Sequence, residues 1–557
     1  MSNGRRAPQG EAPAQWRDVS VRYPFASKAA VGPIELSIEP EERLLLLGPS
    51  GSGKSTLLQT MTGLIPQSIP AEVRGCVQLF GEAVEGRKPS GWAPVVVQFF
   101  QDAEQTLCGM RVEDEIAFAL ENRGVPEARI ACQVAEAMRR VELPEEWRRR
   151  RTTTLSGGER QLVALAATLV QEAPIFVADE PTAHLAPAAA ARLHQVLMSR
   201  EEGRTLFIVD HRLDGLIELI DRVAVLGEDG TLIALGPPGQ VFRDSGHLLD
   251  ALGIWRPLAS DLDSELATIG LQPGEPSLSV KDALAPLEEA PPPKREQARK
   301  AVAAFMAAHA APPAEDRGGT VVARLDAADC APFLGPTVLR NIHLEVRAGE
   351  IVGILGANGT GKSTLGASLA GVLRLKDGRR EGPFGGIAFQ NPESQFVAGT
   401  VEEEIVAALP PARSDRRQAA GDFLAAWDLA GLEARHPFEL SQGQKRRLAL
   451  ATLTAADRWP LLVLDEPLAG LDAKGAAMIV RLVENFRASG RAIALITHDM
   501  DFALRLCARS VILGGGKILA EGPTRELLAD TGLLARAGLA EPTVLPAMRW
   551  LERSRAC

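Results

Sequence analysis

In 557 residues the chain has one tyrosine, Tyr23, and aromatic side chains make up only 4%. No apolar run approaches the ~18 residues that a membrane-crossing helix needs. The first residues, MSNGRRAPQGEAPAQW, carry no apolar signal core. The six cysteines (Cys76, Cys108, Cys132, Cys330, Cys507 and Cys557) contain no C-x-x-C, so neither a thiolate metal cluster nor a disulfide framework is indicated. Basic residues are not in excess either: a net charge of −10 argues against a nucleic-acid partner. What remains is 46% hydrophobic and 24% charged, the make-up of a globular protein too long for a single core.

Against this background one stretch stands out, LLLLGPSGSGKST, residues 44–56. Four leucines bounded by glycine suit a strand of a parallel sheet buried on both faces. Gly48, Pro49, Ser50, Gly51, Ser52, Gly53, Lys54, Ser55 and Thr56 then fit G-x-x-x-x-G-K-[ST]. In such a loop backbone N–H groups converge on phosphate oxygens, the lysine reaches the β- and γ-phosphates, and the hydroxyl sits on Mg²⁺. The pattern recurs as Gly356, Ala357, Asn358, Gly359, Thr360, Gly361, Lys362, Ser363 and Thr364. An ATP-binding unit is built twice.

Further features repeat in the same order. Gln101 and Gln390 each follow a short apolar strand and open a polar loop, as a ligand to Mg²⁺ or to the attacking water would. The first half is longer by 19 residues between lysine and glutamine (Lys54 to Gln101 against Lys362 to Gln390), which reads as an added strand and turn. LSGGERQ and LSQGQKR follow, with Ser156, Gly157 and Gly158 in one and Ser441, Gln442 and Gly443 in the other. A serine and glycine opening a helix offer free N–H groups and a positive dipole end to a phosphate. The strands IFVADEP and LLVLDEP end in Asp179–Glu180 and Asp465–Glu466. Their aspartates suit Mg²⁺, and their glutamates suit a base for the water that attacks the γ-phosphate. His211 and His498 close two later apolar strands. Tyr23 is either an amphipathic strand-end residue or a face for adenine, and aligning LSIEPEE with LEVRAGE sets Ala331 opposite it, with Phe333 close by.

Phosphate loop, glutamine loop, LSGGE-type signature, DEP strand and histidine, in this order, resemble ATP-binding-cassette (ABC) ATPases. The resemblance covers about 230 residues in each half. It implies an α/β fold of two tandem P-loop cassettes, each with a mainly parallel core sheet, an antiparallel β subdomain and a helical signature subdomain. It also implies ATP and Mg²⁺ as ligands and a head-to-tail pairing of the two cassettes within one chain. Lys54, Asp179, Glu180 and His211 would then work with Ser441–Gly443, and Lys362, Asp465, Glu466 and His498 with Ser156–Gly158.

QNPESQF with TVEEEIVAAL, QDAEQTL with VEDEIAFALEN, LSQGQKRRLALA, THDMDFAL and VDHRLDGLIELIDRV are similar to energy-coupling-factor (ECF) transporter ATPases. That likeness implies a transmembrane coupling subunit and a substrate-binding membrane subunit as partners, and a peripheral position on the cytoplasmic face of the membrane. The cargo would be a vitamin, a vitamin precursor or a transition-metal ion. Ile116, Phe118 and Ile405 are expected to line the grooves that receive the membrane subunit. The alternative is a soluble twin-cassette ATPase acting on ribosomes, which DEPTAHL resembles. The near-neutral interdomain segment lacks the basic arm of such proteins.

The expected divisions are 1–245, a Pro-rich linker over 246–318 in which AVAAFMAAHAA could form a helix, and 319–557. Ala186 stands where the second half has Asp472, and Gln442 departs from the usual signature glycine. In the ABC family the aspartate-bearing loop crosses to the opposite phosphate loop. The site holding Lys362 is therefore expected to be the weaker.

Overall fold

The computed structural model describes residues 11–100, 106–155, 157–182, 185, 187–198, 203–271, 273–288, 290–312, 319–455 and 458–556. Two compact units emerge, one holding most of 1–260 with 273–279, the other 261–272 with 280–557.

In the first unit a six-stranded sheet runs Leu232–Gly236, Arg222–Leu226, Arg43–Leu47, Thr205–Val209, Ile175–Asp179, Val96–Phe99. All neighbours are parallel except the outermost pair, Leu232–Gly236 with Arg222–Leu226. The leucine run explains itself here. Side chains alternate across a strand, so Leu44 and Leu46 enter one core while Leu45 and Leu47 enter the other. A four-stranded antiparallel sheet, Val31–Ile38, Ala14–Arg22, Glu72–Leu79 and Glu82–Ala83, covers the first of these cores. The 19 extra residues supply the short strand Glu82–Ala83, and then a helix, Pro89–Trp92, whose buried Trp92 donates Nε1–H to the Val84 carbonyl at 2.9 Å.

The second unit repeats the plan, with the sheet order Gly386–Ala388, Leu461–Asp465, Ala492–Thr497, Ile351–Gly356, Arg509–Gly514, Lys517–Pro523. Its antiparallel sheet has three strands, Leu339–Arg347, Val321–Cys330 and Asp377–Glu381.

The boundary at 245 does not hold. Leu249, on the helix Gly246–Leu252, and Ile254, just after it, belong to the first unit's core. The linker is largely helical, with Leu258–Ala267, Val280–Glu288 and Pro292–His309. In the second unit Val280–Glu288 and Pro292–His309 pack on the C-terminal helix Leu545–Ala556, burying Leu284, Leu287, Val302 and Phe305. No helix among the described residues is long and apolar enough to cross a membrane.

Candidate functional site

Each phosphate loop is shaped by glycines at positive φ. Gly53 (φ 86°) has no room for a side chain, since a Cβ there would lie 2.3 Å from the Ala30 carbonyl oxygen. Gly53 and Gly361 (φ 96°) flank the lysines that open the helices Lys54–Met61 and Lys362–Leu369. The ammonium of Lys54 donates to the carbonyls of Gly48 and Pro49, both at 2.9 Å. Lys362 does the same to Gly356 (2.9 Å) and Ala357 (3.0 Å). Burial pulls the Lys362 ammonium below its usual pKa, opposed by Glu466 and Asp465.

The DEP strands end against these loops. Burial raises the carboxyl pKa of Asp179 and Asp465, while Ser55 and Ser363 hydrogen-bond to them and pull the other way. Hydroxyl and carboxylate oxygens are the donors a hard divalent cation takes, and Mg²⁺ needs only one or two from protein when phosphates supply others. The residues therefore fit the ion.

The next residue turns sharply. Glu180 (φ 47°) and Glu466 (φ 49°) sit in the left-handed region, unusual outside glycine and frequent at functional sites. Their N–H groups continue the sheet, donating to Val209 (2.8 Å) and Ile496 (2.9 Å). Each carboxylate meets a histidine, Glu180 Oε1 with His211 Nε2 at 3.0 Å and Glu466 Oε1 with His498 Nδ1 at 2.5 Å. Against the upward push of burial, the His211 hydrogen bond and charge, with Lys54, hold the Glu180 carboxyl below its usual range.

Ser441 opens the helix Gln442–Ala455 with a reciprocal cap, its Oγ accepting from Gln444 N–H (3.3 Å) and its own N–H donating to Gln444 Oε1 (3.0 Å). Farther along, the buried Arg446 donates to the carbonyls of Phe389 and Gln390, at 2.7 and 2.5 Å. Burial lowers its pKa to about 10, opposed by Asp465 and Glu466. Signature helix and glutamine loop of the second unit are thereby joined. Gln101, Ser156 and Ala186 lie outside the described residues.

Tyr23 Oη lies 3.0 Å from Thr56 Oγ1, beside the phosphate loop. The alignment of Ala331 with Tyr23 is off by one. The turn Tyr23 O to Ala26 N matches Pro332 O to Gly335 N, and positive φ falls on Phe25 and Leu334. The second hairpin loop is one residue shorter, which shifts the register. Ala331 is only 2% exposed, whereas Phe333 and Leu334 stand out in solvent.

Ile116 and Ile405 do not line a groove. Both are fully buried within their own cores, and of the three expected groove residues only Phe118 is exposed, at 49%. Sequence reasoning also missed a pair of clamps. Buried Glu115 takes the N–H groups of Cys108 and Gly109 on one oxygen, and buried Glu404 takes those of Val397 and Ala398. Their signal was a third acidic residue directly before the core isoleucine in VEDEI and VEEEI.

The family described as ABC transporter matches residues 31–183 and 339–469. A Bacillus subtilis (strain 168) protein named "Putative HMP/thiamine import ATP-binding protein YkoD" is 31% identical, over 96% of this chain and 96% of its own. A "Putative ABC transporter ATP-binding protein" of Methanosarcina mazei is 30% identical, over 96% and 93%. Among solved structures, an archaeal ribosome-bound Pelota and ABCE1 assembly contains a chain similar over 93% of this one and 80% of its own, with a TM-score of 0.62. At 20% identity it shows the fold alone. The duplicated loop, carboxylate and histidine geometry and the two matched regions lead to one assignment: the chain belongs to the ABC transporter family, as an ATP-binding and ATP-hydrolysing protein with two tandem cassettes.

Proposed function

We propose that this chain energises an ECF-type importer from the cytoplasmic face of the membrane, and that its cargo is a vitamin or vitamin precursor. The full-length similarity to a relative whose name specifies HMP/thiamine import carries this reading. Exposed apolar side chains near the glutamine loops support it, with Met110 and Phe118 in the first cassette and Val397 and Phe438 in the second. Apolar surface beside a nucleotide-responsive loop suits a membrane subunit's helix.

In the proposed cycle Lys54 and Lys362 offset phosphate charge. Ser55 with Asp179, and Ser363 with Asp465, would hold Mg²⁺, to which Gln101 and Gln390 are also assigned. Bound Mg²⁺ supplies charge neutralisation at the phosphate oxygens. Glu180 and Glu466 take a proton from water as its oxygen bonds to the γ-phosphorus, the bond to the β–γ bridging oxygen breaks, and ADP leaves. His211 and His498 hold those carboxylates in place. The helix ends at Gly157–Gly158 and Ser441–Gly443 offer N–H groups to phosphate oxygens, a role also assigned to Ser156 from the sequence.

The test is sedimentation of the tagged chain from a lysate in low salt. Recovery with membranes, followed by ATP-dependent uptake of labelled thiamine precursor by the co-purified membrane proteins in vesicles, is expected. Recovery with ribosomes instead would replace this reading by the translational one.

A further inference from the structure

The first cassette buries a polar cluster for which the second has no counterpart. Asp210, the residue before His211, lies at the end of the strand Thr205–Val209 and is 2% exposed. Thr182 Oγ1 reaches both its carboxylate oxygens at 2.8 Å, and the Arg212 N–H donates to Oδ1 at 2.9 Å. His194, on the helix Pro187–Leu197, lies with Nε2 3.1 Å from Oδ2. An ionised carboxylate only accepts, so Nε2 carries hydrogen and donates. Burial raises the Asp210 carboxyl, but His194, the Arg212 N–H and Thr182 bring it below its usual range.

Sequence position gives these contacts their meaning. Thr182 stands two residues after Glu180, and Asp210 and Arg212 flank His211. Arg212 Nη1 donates to the Leu185 carbonyl at 2.9 Å. The segment following Glu180 is thus fastened at Thr182 and Leu185 by the two neighbours of the histidine that Glu180 meets. In the second cassette the corresponding positions are Leu468, Val480 and Thr497. There Thr497 Oγ1 lies 3.3 Å from Glu466 itself, and Asp499 caps the helix Met500–Leu506 through Phe502 N–H. The second cassette fixes its histidine by a capped helix. The first, with Arg212 in place of that capping aspartate, has instead the buried cluster and the Arg212 contact to Leu185.

We infer that Thr182, His194 and Asp210 are positioning residues for ATP hydrolysis in the first cassette, setting His211 against Glu180. The inference rests on the proposed roles of Glu180 and His211. The three act through the main chain. An asparagine at 210 keeps the shape but turns an NH₂ group toward a donor, so His211 shifts while the loop around Lys54 is untouched.

Steady-state ATPase of the full chain carrying Glu466→Gln, which leaves turnover to the first cassette, tests this, with melting temperature and binding of a fluorescent ATP analogue measured on every variant. Asp210→Asn and His194→Ala are expected to lower kcat about ten- to a hundredfold, the range for misplaced catalytic geometry, with KM and nucleotide affinity within about twofold. His194→Gln, which restores a donor near the Nε2 position, is expected to recover most of the loss. If Asp210→Asn does not fold, the two His194 variants decide. Retained kcat in these variants, while Glu180→Gln abolishes turnover, overturns the inference and leaves the role of Glu180 standing. Unchanged turnover in Glu180→Gln removes both. Loss in His194→Ala without recovery in His194→Gln reduces the cluster to packing and overturns the inference.

Discussion

His211 Nε2 lies 3.0 Å from Glu180 Oε1, although 31 positions of sequence separate them. The contact joins the ends of two neighbouring parallel strands, Ile175–Asp179 and Thr205–Val209. It is where the sheet delivers a carboxylate toward the phosphate-loop lysine, Lys54.

Replacing that carboxylate should separate binding from turnover. Glu180→Gln and Glu466→Gln, made singly and together, are expected to leave ATP affinity nearly intact. Hydrolysis should vanish in the double variant, because an amide cannot take the proton of water. Between the single variants we expect the larger loss from Glu180→Gln. Phosphate release against ATP concentration measures it, and a larger loss from Glu466→Gln would reverse the ranking of the two sites.

The clamp glutamates make a graded prediction. Both N–H groups held by Glu404 go to Oε1, and both held by Glu115 go to Oε2. Glutamine keeps one such oxygen, so Glu404→Gln should cost within about 1 kcal/mol. Glu404→Ala abandons two N–H groups and should cost about 2 kcal/mol or more. Denaturant unfolding of the two variants gives the comparison, and equal costs would refute the clamp.

Asp501 makes stability depend on pH. It is partly buried, accepts from the N–H groups of Thr543 (2.9 Å) and Val544 (3.3 Å), and has its pKa raised to about 6 by desolvation and by Asp499. The folded value exceeds the unfolded one, 3.8. Its stabilisation is therefore complete below the unfolded value and lost as pH rises through about 6. The loss amounts to about 3 kcal/mol. Thermal melts from pH 4 to 8 should show a decline that Asp501→Asn flattens.

Substitution of the exposed Phe118 should separate catalysis from recruitment. Phe118→Asp adds a charge at a half-exposed position of the helix Val112–Asn122 and should leave ATPase of the isolated chain within about twofold, as surface substitutions generally do. Its recovery with membranes should fall. Undiminished recovery would move the docking face elsewhere.

Much of the site could be read from the sequence, because each motif is local and fixed by its own backbone. Leucines 44–47, Lys54, the DEP ends and both histidines needed no long-range information beyond the parallel-sheet rule. Ile116 and Ile405 were misread for the opposite reason. A helix with glutamates on one side and isoleucine on the other looks alike whether the isoleucine meets a partner or its own core, and only packing decides. The hairpin register failed through one deleted residue near Pro332, which no periodicity records. Asp472 was read through its loop, yet its Oδ1 accepts from Gly475 N–H at 2.8 Å and caps the helix Ala473–Ala488. Where the first half has Ala186, its helix opens instead on Pro187, whose fixed φ suits a first turn.

The helices Val280–Glu288 and Pro292–His309 bury their apolar faces against the chain's own C-terminal helix. The joint of this tandem gene product is consequently property of one copy. A second cassette produced from residue 319 onward would begin with a raw hydrophobic wound on Leu545–Ala556, whereas one begun at Val280 would carry its own dressing. Gene fission at this junction is therefore directional: cut upstream of 280 and the second half keeps its closure, cut downstream and it does not.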